Sequence, residues 1–393
     1  MTRRLRRGRS RPIRGAQNRP GFAMFMALGA LVIIAVLIAA SSFVTLQESR
    51  LGQNSIVNSR AFTAAEYGLN KIQADWDKTP NLAMANGASF DTSYTIAGQG
   101  TCKVRYTRLN NETFWIVSEG RAAAGNATAA SRTAVKRVGA ILRLRIPSIK
   151  ANGAITTAGN IIIGGSGEVH GENTMPGGWA GCDTTALGKA GVVVSPTATV
   201  SILKASSATG DPQVLRDPLA ADSNTYVRYG DETWNALVSM ANITVGSGNP
   251  PDAVPTLNAD GSCNKTSPSN WGEPWRGAAS VAACYNYFPI IYMTTSTQIN
   301  GGRGQGIMLV DGDVRVNGNF EWYGLIVARD DITKGNGNAH IYGSVMARNA
   351  HIGDNSEVLG DITVSYSQCS LEHAMRGSAQ VVQAKQRAWT EIY

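Results

Sequence analysis

An uncharged, mostly apolar run from Phe22 to Ala40 dominates the start of the chain, and the next charged residue is Glu48. Its 19 residues come close to the roughly 20 apolar residues that a membrane-crossing helix needs. Ten of them are Phe, Leu, Ile or Val, which together favour insertion by about 3–6 kcal/mol. The run therefore predicts a membrane span. A secretory signal cleaved at the small residues 39–42 is the alternative.

The apolar run continues into a polar segment that keeps helical spacing up to Pro80. Apolar residues recur there every three to four positions, which predicts one face of an amphipathic helix. The pattern predicts a single helix of about 55 residues, apolar at its start and amphipathic later. Such a helix suits packing beside copies of itself in a filament, and a membrane anchor with a stalk is the alternative. The recurring positions are Leu51, Val57 or Asn58, Phe62, Ala65, Leu69, Ile72 and Trp76.

Alternating apolar and polar residues follow and predict three strands. Residues 101–109 and the segment after Asn110-Asn111 form a predicted hairpin, in which Cys102 is a small apolar strand residue. Residues 134–147 form the third predicted strand. Its inward residues would be Leu142, Leu144 and Ile146, and its outward residues Arg143 and Arg145. The sequence thus predicts a small antiparallel sheet lying on the amphipathic helix.

An internal repeat near the C-terminus is built around Gly324, Gly343 and, more weakly, Gly360, each preceded five positions earlier by asparagine. The glycines lie 19 and 17 residues apart, and short β-runs with Gly and Asn corners at this period are typical of a parallel β-helix. The repeat predicts that Ile326 and Val345 stack inside adjacent coils, with an antiparallel sandwich as the alternative. Helical spacing in residues 370–389 predicts a C-terminal helix that caps the last coil, with Leu371, Met375, Val382 and Trp389 on one face.

Residues 203–290 interrupt this pattern with many prolines and tryptophans and are predicted to form long loops around one short helix. Cys263 and Cys284 flank the loop-rich part and are a candidate disulfide, which an exported domain would permit. Cys182 and Cys369 remain unassigned. No Cys-x-x-Cys occurs, so zinc is not expected.

Charge is concentrated at the N-terminus, where eight arginines precede residue 20 without an acidic residue. The chain carries 36 basic and 28 acidic residues, so everything from Gly21 onward is formally neutral. A nucleic-acid-binding face is therefore not expected. The arginines are typical of the cytoplasmic flank of a membrane span.

Two features at the N-terminus carry a family resemblance. Gly21 stands between the basic leader and the apolar run, and the sequence Ala-Phe-Thr-Ala-Ala-Glu-Tyr-Gly-Leu occupies residues 61–69. In these features, residues 15–147 resemble the PilX-type minor pilins of type IV pilus systems. The residues that match the second motif are Ala61, Phe62, Ala64, Ala65, Glu66, Gly68 and Leu69.

The resemblance implies that a prepilin peptidase cuts between Gly21 and Phe22 and leaves the helix in place. It implies an inner-membrane protein with a cytoplasmic N-terminus and an exported head, in or near a surface filament. Its partners would be other pilins and the inner-membrane assembly machinery. One departure is Met26, because pilins usually carry glutamate five residues after the cut. This departure favours a tip or priming role over ordinary incorporation in the shaft.

Residues that could support catalysis are few. The four histidines are scattered, and neither HExxH nor GxSxG occurs. The carboxylates of Asp311, Asp313, Asp330 and Asp331 could hold calcium, but turn residues at coil corners are the favoured interpretation. We therefore expect a non-enzymatic protein without a cofactor. The alternative is a membrane-anchored or secreted β-helix protein that binds or cleaves carbohydrate, which makes a surface polysaccharide a further candidate partner.

The fold class expected from these patterns is α+β, with a long membrane-embedded helix on a small antiparallel sheet, followed by a mostly-β domain. The expected segments are a leader at 1–21, the helix at 22–79, the small sheet at 80–147, a first β-helix-like part at 148–202, the insertion at 203–290, the repeats at 291–369 and a C-terminal helix at 370–393.

Overall fold

A long N-terminal helix opens the structure, which is a computed structural model. The helix, α1, spans Pro20–Ala74, close to the predicted 22–79. Within its described part, length and apolar composition suffice to cross a membrane, and none of the most apolar stretch is buried by the other described residues. The structure describes residues 20–76, 81, 84–123, 133–183, 185–203, 206–230, 232–334, 337–352, 362–383 and 389–392.

An antiparallel sheet packs on the C-terminal half of α1. Its first four strands follow one another in space as in the chain. They are β1 Ser89–Ile96, β2 Gly100–Arg108, β3 Thr113–Ala123 and β4 Thr133–Arg145. The hairpin of β2 and β3 was predicted, as was β4. The edge strand β1 was not predicted.

Alternation along these strands places one row of side chains against the helix. Cys102, Val104 and Tyr106 are buried, as are Leu142 and Leu144. Arg143 and Arg145 are exposed, as the alternation predicts, whereas Ile146 follows the end of β4 and is half-buried. The helix contributes Val57, Ala61, Ala65, Leu69 and Ile72 to the contact.

Two parallel sheets form the body that follows, together with one short helix, α2 Trp234–Ser239, and a two-stranded antiparallel pair. The first sheet contains β5 Gly153–Thr157, β7 Glu168–His170, β8 Ala190–Val194, β10 Ser207–Thr209, β11 Val214–Arg216, β14 Ile243–Val245, β15 Ile290–Met293, β17 Gly302–Val310, β19 Phe320–Ala328, β21 Ala339–Ala347 and β23 Ile362–Tyr366. The second contains β6 Ile161–Ile163, β9 Val200–Ile202, β16 Thr297–Ile299, β18 Val314–Val316, β20 Asp331–Lys334 and β22 Asn349–Ile352. The antiparallel pair is β12 Arg228–Tyr229 and β13 Glu232–Thr233.

The chain alternates between the two sheets along the repeat, from β15 to β23. Each described pairing within these sheets is parallel, in contrast to the antiparallel sandwich considered as an alternative. Gly306, Gly324 and Gly343 stand side by side, and Ile326 pairs with Val345 in adjacent strands. Both Ile326 and Val345 are fully buried. The weak third copy, around Gly360, lies partly outside the described residues.

The order of stacking differs from the order of the chain. The strand β6 pairs with β22, and β5 pairs with β21, so residues 153–202 continue the stack beyond the repeats. The predicted insertion is also part of the first sheet, because it supplies β10, β11 and β14. Its prediction as loops around one short helix was therefore wrong for these three strands.

The C-terminal segment departs most from the prediction. Its helix, α3, spans only Gln368–Gly377 and packs beside β17, β19 and β21 rather than over the end of the stack. Val382 and Trp389, predicted on that helix, lie in two strands, β24 Gln380–Gln383 and β25 Trp389–Ile392. Both strands pair with β4, whose free edge supplies hydrogen-bonding partners for their backbone groups. The body is thus inserted between two strands of the small sheet.

Candidate functional site

The N-terminal half of α1 is an apolar surface that packs against none of the other described residues. Every side chain described from Met24 to Ile56 is exposed. Large hydrophobic residues lie on all sides of this part, including Leu31, Ile34 and Leu37. A helix that is apolar all round is normally buried in protein or lipid. This half therefore needs a bilayer or another apolar surface around it.

The motif at residues 61–69 marks where the helix docks on the sheet. Ala61, Ala64, Ala65, Gly68 and Leu69 are buried, whereas Phe62 and Glu66 are half-buried at the margins of the contact. The residues on which the family resemblance rests are therefore mainly the residues that contact β2, β3 and β4.

Small residues on both sides let the helix backbone approach the sheet closely. A Cβ atom added to Gly120 would lie 2.1 Å from the carbonyl oxygen of Ala61 and 2.4 Å from the amide nitrogen of Ala65. One added to Gly68 would lie 2.4 Å from Oγ of Ser118. Real Cβ atoms do not approach other atoms this closely. Gly120 on β3 is a position in this docking contact that the sequence analysis missed, because its partners on α1 are distant in sequence.

The C-terminal strand completes the same contact. The ring of Trp389 meets Phe62 edge-on, with 6.0 Å between the centroids. Lys136 donates a hydrogen bond of 2.6 Å to Glu391 on the neighbouring strand. The docking face of α1 is thus formed by residues from both ends of the chain.

An ion pair between an exposed arginine and a buried glutamate joins the small sheet to the body. The guanidinium of Arg145, at the end of β4, donates to both carboxylate oxygens of Glu232, at 2.6 and 2.8 Å. The Glu232 side chain is only 2% exposed. A charge so deeply buried depends on its partner, so this pair helps to hold the two parts together.

A cleft of about 700 Å³ lies beside this junction. Arg108 and Glu112 of the small sheet line it, together with Phe288, His373 and Arg376 of the body. Burial lowers the pKa of His373, so its imidazole is neutral at pH 7. The cleft walls carry charges of both signs and do not single out one ligand class.

Two disulfides fix the loops of the body. Cys263 and Cys284 are joined, as the sequence suggested. Cys182 and Cys369 form a second bond across a sequence separation of 187 residues, which spacing alone could not reveal. The Cys102 thiol is buried in β2, and burial raises its pKa. His373 lies near the second disulfide, but sulfurs bonded to each other do not serve as thiolate metal ligands.

The carboxylates considered for calcium are engaged in ladders along the stack. Asp313 accepts a hydrogen bond from the amide of Asp331, at 3.0 Å, and Asp331 accepts one from Nδ2 of Asn349, at 2.7 Å. Asp311 pairs with Arg329 at 2.9 Å. These contacts favour the interpretation as turn residues at the corners.

Gly21 and Phe22 lie in the first turn of α1, and residues 1–19 of the leader lie outside the described residues. Comparisons of the chain with protein families, with curated proteins and with solved structures found no match.

Proposed function

We propose that this protein is a minor pilin-like component of type IV pilus assembly, non-enzymatic and anchored by α1 in the inner membrane. The observation that carries the proposal is the division of α1 into two halves. Its first half is apolar and exposed, and its second half docks through small residues on an antiparallel sheet. The helix therefore leaves the folded domain as a free apolar rod, which other pilins and the membrane could surround.

The large domain that follows α1 favours a single position in the filament, such as its tip, over a repeated position along the shaft. We propose that its two parallel sheets form a parallel β-helix inserted into the pilin-like sheet. This body follows β4 directly and would crowd a regularly packed shaft. Met26 stands at the position where the resemblance expects a glutamate. Both features favour a filament tip or a priming complex, in contact with other pilins and the assembly machinery.

The mature N-terminus tests the proposal directly. Intact-mass and peptide mass spectrometry of the protein from its native membrane should find a chain that begins at Phe22. Gly21→Leu should block this cleavage. Gly29→Ala lies farther along the apolar run and should leave the cleavage unchanged.

Two outcomes would contradict the proposal. A chain that begins near Ser41 would show a removed secretory signal. A chain that retains its leader would show a plain membrane anchor.

A further inference from the structure

We propose that the outer face of the first parallel sheet binds a neutral or amino-sugar glycan. The inference does not depend on how α1 is used, because it concerns the body alone. It assigns a ligand class to a surface formed by β17, β19, β21 and β23, which we call the ladder face. The ladder face consists of Arg303, Glu321, Tyr323, His340, Tyr342 and Thr363.

Parallel register arranges these side chains in two rows. Arg303, Glu321, His340 and Thr363 stand side by side in one row. Tyr323 and Tyr342 lie in the next row, between the buried side chains of Gln305 and Ser365. The residues between them, such as Trp322 and Ile341, point inward and are buried. The ladder face therefore repeats once per strand, about every 4.8 Å.

Aromatic rings cover part of the ladder face. Tyr323 is stacked between Tyr342, at 4.6 Å between centroids, and Trp179, at 5.7 Å. Beside them Trp275 is 41% exposed. A cleft of about 420 Å³ lies between Trp275, Arg276 and Tyr323.

Trp275 is held in place although it is exposed. Its indole nitrogen donates a hydrogen bond of 2.6 Å to Glu321, and the guanidinium of Arg303 lies 4.0 Å from its ring centre. Arg303 is in turn fixed by two hydrogen bonds to the fully buried carboxylate of Glu273, at 2.7 and 2.8 Å. A ring that is already ordered loses little entropy when a ligand stacks on it.

The combination of rings and polar groups matches the surface of a sugar. A pyranose has an apolar face of C–H groups, which stacks on an aromatic ring, and an edge of hydroxyls, which need hydrogen-bonding partners. Trp275 and Tyr342 provide the first kind of contact. Glu321, His340 and Thr363 provide the second. The surface presents similar side chains on each successive strand, which also suits a polysaccharide that presents a similar sugar ring at each successive unit.

Charge narrows the class of glycan. Glu273 neutralises Arg303. Arg276, which lines the cleft beside Trp275, offsets the charge of Glu321, so the cleft itself carries no net charge. The same rows continue into β7, where Glu168 aligns with Thr363 and adds a second carboxylate. Like charges repel a polyanionic ligand. We therefore expect neutral or amino sugars rather than acidic polysaccharides.

A peptide is less well matched than a glycan. An extended peptide binds most readily along a free strand edge. The four strands of the ladder face instead pair on both sides with their neighbours.

Calorimetry with the full-length protein in detergent tests the inference. The probes are oligomers of N-acetylglucosamine, cello-oligosaccharides and, as the acidic comparison, oligogalacturonate. We expect at least one neutral or amino-sugar oligomer to bind with a Kd below about 1 mM. Trp275→Ala and Tyr342→Ala should each weaken it about tenfold or more. Glu321→Gln keeps the side-chain shape and should weaken it severalfold.

The matched control is Phe90→Ala, because Phe90 is an aromatic residue that is 55% exposed but lies on β1 of the small sheet. It should leave the affinity unchanged. Circular dichroism melting identifies any variant that has lost its fold. If Trp275→Ala or Tyr342→Ala does not fold, the affinity of Glu321→Gln tests the inference. The inference is overturned if no neutral or amino-sugar oligomer binds or if oligogalacturonate binds more tightly. It is also overturned if Phe90→Ala weakens binding as much as Trp275→Ala.

Discussion

Gly120 lies on β3 where α1 passes over the sheet, with the backbone of Ala61 and Ala65 directly opposite. Backbone atoms cannot rotate away as a flexible side chain can. Any side chain at this position must therefore push the helix off the sheet. The buried part of α1 runs from Val57 to Ile72, so this contact lies close to the point where the exposed N-terminal half of the helix ends.

Gly120→Ala should consequently destabilise the small domain by about 1–3 kcal/mol, the usual cost of overpacking a tight contact. Gly52→Ala is the matched control, because a Cβ atom there meets nothing within 4 Å. It should be neutral or stabilise the helix by about 0.5–1 kcal/mol. Denaturant unfolding in detergent, followed by circular dichroism, compares the two variants. Equal stability of the two would contradict the close-approach argument.

For single residues, the sequence predicted those features that follow from the alternation of neighbouring side chains along a strand. Cys102, Val104 and Tyr106 were assigned to the buried side of a strand because side chains alternate with period two. The Cys182–Cys369 bond and the role of Gly120 were not predictable. Each depends on a partner brought near by the tertiary fold, and no local spacing records it.

Among the elements, the strands of the repeat are held together by identical registers. Ile326 and Val345 are paired in β19 and β21, and Val345 also pairs with Ile155 in β5. The same position is thus occupied by a β-branched residue in three neighbouring strands. This column forms part of the core of the body.

Ile326→Ala or Val345→Ala should destabilise the body by about 2–4 kcal/mol, since each leaves a cavity in a tightly packed column. Arg315→Ala on β18 is the control, because Arg315 is an exposed strand residue and its loss should change stability by less than about 0.5 kcal/mol. Thermal and denaturant unfolding of the full-length protein measure all three. A loss below about 0.5 kcal/mol for both core variants would be inconsistent with this packing.

The repeat was predictable because each unit places glycine and apolar residues at equivalent positions. The two C-terminal strands were not. Val382 and Trp389 have helical spacing by coincidence, and each strand is only four residues long. They form strands because they pair with the free edge of β4, which lies more than two hundred residues earlier in the chain.

Seen as a whole, the molecule has one domain placed inside another. The chain leaves the small sheet after β4, forms the body, and returns to the same strand through β24 and β25. The pair of Arg145 and Glu232 lies at the point of departure. The body is therefore held on the sheet by both of its ends, so under the proposed function the protein presents the body wherever α1 is anchored.

The low-copy position proposed for the subunit follows from this bulk and from Met26. Without a carboxylate at that position, the helix cannot neutralise a neighbour's buried N-terminal amine, and an unpaired buried charge is costly. We expect quantitative proteomics on sheared filaments to find the protein far below the main shaft pilin. Deleting it should reduce the number of pili or their adhesion and leave the shaft geometry unchanged in electron micrographs. An abundance equal to that of the main pilin would mean that neither the bulk of the body nor Met26 keeps the subunit out of the shaft, and the tip or priming assignment would have to be abandoned.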